Sequence, residues 1–298
     1  MEYAHPEYLV ETDALAAQLD DPQLRVIDCT HYLPNYFDES ASRHIEKLSG
    51  RSHWNEGHIP GSAFVDLRED LCDLDNARFM YPMPPAAQFE AVMSRLGVGE
   101  GTRVVLYDDM LNLWAARVWW MLRSFGFDGA AVLNGGWKKW VAEGRPVSRA
   151  PSTYPPARFV ARPRPGRIAV RDEVRAAIDD ADTCLLNALD PEEFAGRGPV
   201  RYKRAGHIPS SVNVSFLGLV KPGSQVYLDA DALHAQFDGV GATRAGRVIT
   251  YCGGAIAASG AAFALSLMGV ENVALYDGSM SEWAADPALP LVTAAQQA

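Results

Sequence analysis

Four cysteines, Cys29, Cys72, Cys184 and Cys252, are the side chains in this sequence best suited to covalent chemistry, and their surroundings differ. They lie far apart with no Cys-x-x-Cys pair, which excludes zinc-ribbon and thioredoxin-like spacings. Cys29 and Cys184 fall at the end of, or inside, short apolar runs, where a free thiol packs as a small hydrophobe. Cys252 instead follows the β-branched run Arg247 to Tyr251 and opens the segment Cys252-Gly253-Gly254-Ala255-Ile256-Ala257, after which small residues predict a helix. In a strand, tight loop, helix arrangement, two glycines let the loop curl so that its N–H groups point inward. The helix start adds unpaired donors and partial positive charge. A thiolate seated there is stabilised, and a lowered thiol pKa raises the fraction available as a nucleophile or sulfur carrier. Taken alone, the loop fits equally a buried cysteine that ends a strand.

The elements that must position this loop occur twice. Gly57-His58-Ile59-Pro60 is echoed by Gly206-His207-Ile208-Pro209, and Val26-Ile27-Asp28 by Leu185-Leu186-Asn187. Arg103 to Tyr107 is echoed by Arg247 to Tyr251, and Leu133-Asn134-Gly135-Gly136 with Trp140 by Tyr276-Asp277-Gly278-Ser279 with Trp283. Four echoes in one order mean one fold present twice. The proline-rich stretch 146–166 reads as a linker between a first domain, 1–145, and a second, 167–298. Buried strands at Arg103 to Tyr107, Ala130 to Leu133, Arg247 to Tyr251 and Asn272 to Tyr276 alternate with helices at Trp114 to Phe125 and Ala257 to Met268. The expected class is therefore α/β, each domain a mostly parallel sheet flanked by helices. Ligands of such sheets bind beyond the carboxyl ends of the strands, where Cys252 stands.

The 298 residues suit two domains, and 48% hydrophobic with 21% charged residues is an ordinary globular balance. A net charge of −10 disfavours nucleic acid and anionic membrane surfaces as partners. No stretch has the length of a membrane span and the N-terminus has no basic, apolar leader pattern, so a cytoplasmic protein is expected.

The duplicated unit, the paired Gly-His-Ile-Pro motifs and the cysteine opening a six-residue loop in the second half together resemble the tandem rhodanese family of thiosulfate and 3-mercaptopyruvate sulfurtransferases. The resemblance implies a second domain catalytic through a Cys252 persulfide and an inactive first domain, with Asp108 at the position of the cysteine. His58 and His207, occurring in both halves, are expected to hold the fold by bonding backbone, and Asp28 and Asn187 to anchor turns. The uncharged loop is similar to the mercaptopyruvate type, yet Gly254 stands where that type has a relay serine. Tyr81 stands where it has the relay histidine. Glu193 falls at the family's substrate arginine, leaving Arg201 or Arg204 nearby as candidates to bind a donor anion.

The resemblance therefore implies sulfur transfer from 3-mercaptopyruvate, thiosulfate or polysulfide to a thiol, cyanide or a thioredoxin-like reductant, with no metal or organic cofactor. A non-catalytic sulfur-relay or interaction scaffold is the alternative. The phosphatase relatives of this fold are disfavoured because no arginine follows the cysteine in the loop.

Overall fold

A computed structural model describes residues 1–32, 49–75, 78–198 and 201–293. Strands β1 (Leu9–Val10), β2 (Leu24–Asp28), β3 (Ala63–Phe64), β4 (Arg103–Tyr107) and β5 (Ala130–Leu133) form a parallel sheet in the order β1-β5-β4-β2-β3. Strands β6 (Ile168–Ala169), β7 (Thr183–Asn187), β8 (Val212–Asn213), β9 (Arg247–Tyr251) and β10 (Val273–Tyr276) repeat that order as β6-β10-β9-β7-β8. Asp28 pairs with Tyr107 and Asn187 with Tyr251, so Asp108 and Cys252 leave equivalent strand ends. The central strands are the apolar runs of the sequence. The two-residue edge strands are too short to leave a periodic signal, and shortness also protects a sheet edge from stray pairing.

The helix after each loop explains how the halves meet. Ile256–Leu267 is buried on every side, as a helix apolar all round must be. It packs on Leu113–Ser124, also almost wholly buried, with Phe263 edge-on to Trp119 at 4.9 Å. Gly260 lets the two helices approach closely there, since a Cβ would lie 2.9 Å from Leu113 Cδ2 and push that side chain aside. One continuous apolar cluster consequently runs through both halves.

The segment 146–166 has neither helix nor strand, but it is tied to the first half throughout. Ser148 exchanges backbone hydrogen bonds with His58, Ala157 N–H donates to Ser94 O, and Arg162 N–H donates to Phe125 O. Its Phe159 is buried against Phe89. Among the described residues no helix is long and apolar enough to cross a membrane.

The histidines and turn residues behave as local anchors. His58 Nδ1 lies 2.7 Å from Trp54 O and its ring stacks on Trp54; His207 Nδ1 lies 2.7 Å from Phe194 O and stacks on Phe194. A carbonyl only accepts, so Nδ1 is the protonated nitrogen in both rings. Asp28 accepts from Thr30 N–H and Asn187 from Leu189 N–H, closing a turn beyond each strand.

Candidate active site

Cys252 leaves β9 and the chain curls through Gly253, Gly254 and Ala255 into the helix beginning at Ile256. The curl does not come from the glycines. Ala255 takes the left-handed conformation, φ +68°, while neither Gly253 nor Gly254 has positive φ. The glycines are needed for close approach: a Cβ on Gly253 would overlap the Tyr202 hydroxyl oxygen. One on Gly254 would lie 3.3 Å from Met80 Cβ and 3.4 Å from Tyr81 Cδ2. Ile256 and Ala257 open the helix and are buried with the rest of it.

The backbone N–H groups of Gly253, Gly254, Ala257 and Ala258 are directed at the Cys252 thiol and favour its anion. Burial acts the other way and prevails, so the thiol sits above its ordinary value. The expected lowering of this pKa is thus corrected: at 2% exposure, desolvation outweighs four amides. Burial also pushes the thiols of Cys72 up to about 12 and Cys184 up to about 11, and Cys29 well up. Among the described residues, burial leads at those three with no backbone amide among the opposing influences, whereas four amides oppose it at Cys252.

Ser279, which sequence reasoning missed, fixes the loop. Its Oγ accepts from the N–H groups of Cys252 (3.1 Å) and Ala255 (3.2 Å) and donates to Tyr276 O. Met280 and Ser281 N–H donate to the carbonyls of Cys252 and Gly253. Ser279 holds φ +49°, a costly conformation for serine, and its counterpart Gly136 holds φ +53°. The signal was present: a serine where the other copy keeps glycine.

In the first half, Asp108 occupies the thiol's place. Its carboxylate accepts from Met110 N–H (2.6 Å), Asn112 N–H (3.0 Å) and Ala115 N–H (2.8 Å), and burial raises its pKa to about 6. The loop amides therefore converge without a Gly-Gly pair, Leu111 and Asn112 supplying the left-handed turn. Both positions are buried, Asp108 at 0% and Cys252 at 2% exposure, and what this loop lacks is the thiol; the second half covers it with buried Gln225, whose backbone carbonyl accepts from Asn112 Nδ2.

The cover is reciprocal. Tyr81 of the first half, also buried, lies against Gly254 of the second. Asn134 Oδ1 accepts from Tyr227 N–H, and Asp277 Oδ2 accepts from Met83 N–H. Arg117 breaks the symmetry: its Nη2 donates to Asp277 Oδ1 (2.6 Å) and to Tyr81 O (3.0 Å) with no exposure to solvent.

The candidate anion residues part company. Glu193, on the short helix Pro191–Phe194 that His207 props up, pairs with Arg201 Nε at 2.8 Å, its side chain 6% exposed. Arg204 sends its guanidinium to the backbone carbonyls of Trp283, Ala284, Asp286 and Leu289. It caps the carboxyl end of the helix Ser279–Trp283 and is corrected from anion binder to fold residue. Arg204→Ala is expected to lower the melting temperature, by about 1.5–3 kcal/mol in stability, with donor KM unchanged. A raised KM at unchanged stability would contradict this assignment.

Two parallel α/β units sharing one core, with a single amide-ringed cysteine at a strand end between them, define a duplicated α/β protein with one thiol site. The rhodanese-like domain matches residues 11–143 and 170–286, and the chain belongs to that family. It is 33% identical over 297 residues to the sulfur carrier protein TtuD of Thermus thermophilus, covering 95% of each chain. It is 32% identical to the thiosulfate sulfurtransferase of Mus musculus, covering 92% of this chain and 91% of that one. The crystal structure of SseA from Escherichia coli, described among 3-mercaptopyruvate sulfotransferases, superposes with a TM-score of 0.79 at 29% identity, over 91% of this chain and 98% of that one.

Proposed function

We propose that Cys252 carries sulfur as a persulfide in a ping-pong transfer. The chain is an enzyme of the sulfurtransferase type, as its named relatives are. The Cys252 thiolate attacks the sulfane sulfur of a donor, and the bond from that sulfur to the rest of the donor breaks, its electron pair leaving with the fragment. Thiosulfate leaves as sulfite. From 3-mercaptopyruvate the fragment is the pyruvate enolate, which takes up the donor's thiol proton to give pyruvate. The persulfide anion then yields its outer sulfur to a thiol or cyanide. The observation carrying this reading is the set of four backbone N–H groups around one sulfur, which suits a sulfur that is anionic before and after loading.

The first half, 1–145, serves as a wall and carries no sulfur. Asp108→Cys is expected to leave persulfide loading at one sulfur per chain, since Gln225 seals that loop. Two sulfurs per chain would contradict this.

Donor choice follows from the Glu193–Arg201 pair. A donor anion must compete with the Glu193 carboxylate for the guanidinium, so thiosulfate, a compact dianion, is expected to saturate poorly. Single-turnover loading with 3-mercaptopyruvate, thiosulfate and polysulfide tests this, with released pyruvate or sulfite matching the sulfur gained. Glu193→Gln is expected to lower the thiosulfate KM about tenfold and Arg201→Ala to raise donor KM more than it lowers kcat. Unchanged thiosulfate kinetics in both variants would place the anion elsewhere.

A further inference from the structure

Both halves need a left-handed residue where the helix after the last strand begins, and they fill that position differently. Counterpart residues share the conformation: Leu111 at φ +62° with Ala255 at +68°, and Gly136 at +53° with Ser279 at +49°. In the first half the second of these positions is glycine, which adopts the conformation freely, and a Cβ there would lie 2.4 Å from both Asp108 O and Gln225 Oε1. The second half, which carries the thiol, keeps a buried serine at nearly the same φ. Strain of this kind persists only where the surroundings hold it, and it concentrates at functional sites. The backbone would be met by glycine, so the hydroxyl is what accounts for serine.

That hydroxyl ties the cysteine loop at both ends. It accepts from the N–H of Cys252, where the loop leaves the strand, and from the N–H of Ala255, the left-handed residue that closes the loop; it donates to Tyr276 O. Ala255 is held from its other side by Ser259, whose Oγ donates to Ala255 O at 2.7 Å. Backbone N–H groups of Met280 and Ser281 add bonds to Cys252 O and Gly253 O. The first half has a counterpart of one of these, Trp137 N–H to Asp108 O, but glycine gives it no hydroxyl. With Cys252 and Ala255 N–H engaged by Ser279, the N–H groups of Gly253, Gly254, Ala257 and Ala258 are the ones left for the sulfur.

We propose that Ser279 is a positioning residue for sulfur transfer, its hydroxyl holding the two ends of the loop so that the remaining amides stay converged on the Cys252 sulfur. This inference rests on Cys252 being the sulfur carrier. Ser279 acts through the N–H groups of Cys252 and Ala255 and not on the donor. Without the hydroxyl, two buried N–H groups lose their acceptor and the loop that presents the amides loosens. The amides then support the anion less well, and burial of the thiol goes less opposed.

Ser279→Gly and Ser279→Ala both remove the hydroxyl but differ in strain, since glycine relaxes at this φ and alanine does not. For each variant, sulfur loading of Cys252 from 3-mercaptopyruvate and the pH midpoint of its alkylation by iodoacetamide are measured at a temperature where the protein is folded, with the melting temperature alongside. The expected result is a higher melting temperature for Ser279→Gly than for Ser279→Ala, yet loading about tenfold slower and an alkylation midpoint about one pH unit higher in both. A Ser279→Gly protein that loads at the unaltered rate with an unshifted midpoint would overturn the role of the hydroxyl while leaving Cys252 as carrier. So would loading that recovers from Ser279→Ala to Ser279→Gly in step with stability, the mark of a residue that only supports the fold. Failure of the unaltered protein to load Cys252 at all would overturn both readings.

Discussion

Cys252→Ser is expected to lose sulfur transfer by at least about a thousandfold, while Cys29→Ser, Cys72→Ser and Cys184→Ser keep it in proportion to the protein that folds. A hydroxyl cannot form a persulfide, and the remaining thiols sit in or against the apolar core without the amide ring that Cys252 has. Because burial holds the Cys252 thiol above its ordinary value, the nucleophilic thiolate is a minority species near neutrality. Loading by the unaltered protein should therefore rise with pH from 7 through the alkaline range, with no plateau below the ordinary thiol pKa of about 8.5. Turnover retained by Cys252→Ser, or a rate flat from pH 6 upward, would contradict the assignment.

The second large effect is expected at Arg117. Replacing it with methionine keeps much of the buried volume but leaves the Asp277 carboxylate, its side chain 9% exposed, without its cation. The cost of an unpaired buried charge is about 3–5 kcal/mol, read as a lower urea midpoint and melting temperature. Asp277 also accepts from Met83 N–H, and Arg117 holds Tyr81 O, so the segment lying on Gly254 loosens and sulfur loading should fall with stability. Pairing Arg117→Met with Asp277→Leu removes both charges and should recover most of the stability but not the placement of Met83. A loss under about 1 kcal/mol in the single variant would mean that solvent reaches the carboxylate.

The fold was legible because each repeated motif has a physical task that both halves need. The histidine bonds a backbone carbonyl, Tyr107 and Tyr251 meet the hydroxyls of Ser62 and Ser211, and Trp140 and Trp283 donate to Pro146 O and Pro290 O. Such residues recur at near-constant offset, so one chain reveals its own symmetry. Cys252 was legible through its place at a strand end.

What was not legible depended on contacts between distant segments. Gly253 and Gly254 read as turn residues, whereas Tyr202, Met80 and Tyr81 are the reason for them, and the turn itself falls on Ala255. Arg204 and Arg201 looked alike in sequence, and only the carbonyls gathered around one and the carboxylate beside the other tell them apart. The net thiol pKa was likewise out of reach, since it depends on how burial in the folded chain weighs against amides of the loop and the helix start.

The most direct test is the mass of the Cys252 peptide after brief incubation with 3-mercaptopyruvate and trapping of the product. One added sulfur, about 32 Da beyond the trapped thiol peptide, and, in a parallel untrapped sample, its release by cyanide as thiocyanate in equal amount, are the expected results. Sulfur found on another cysteine, or turnover with the Cys252 peptide never gaining mass, would contradict the persulfide account.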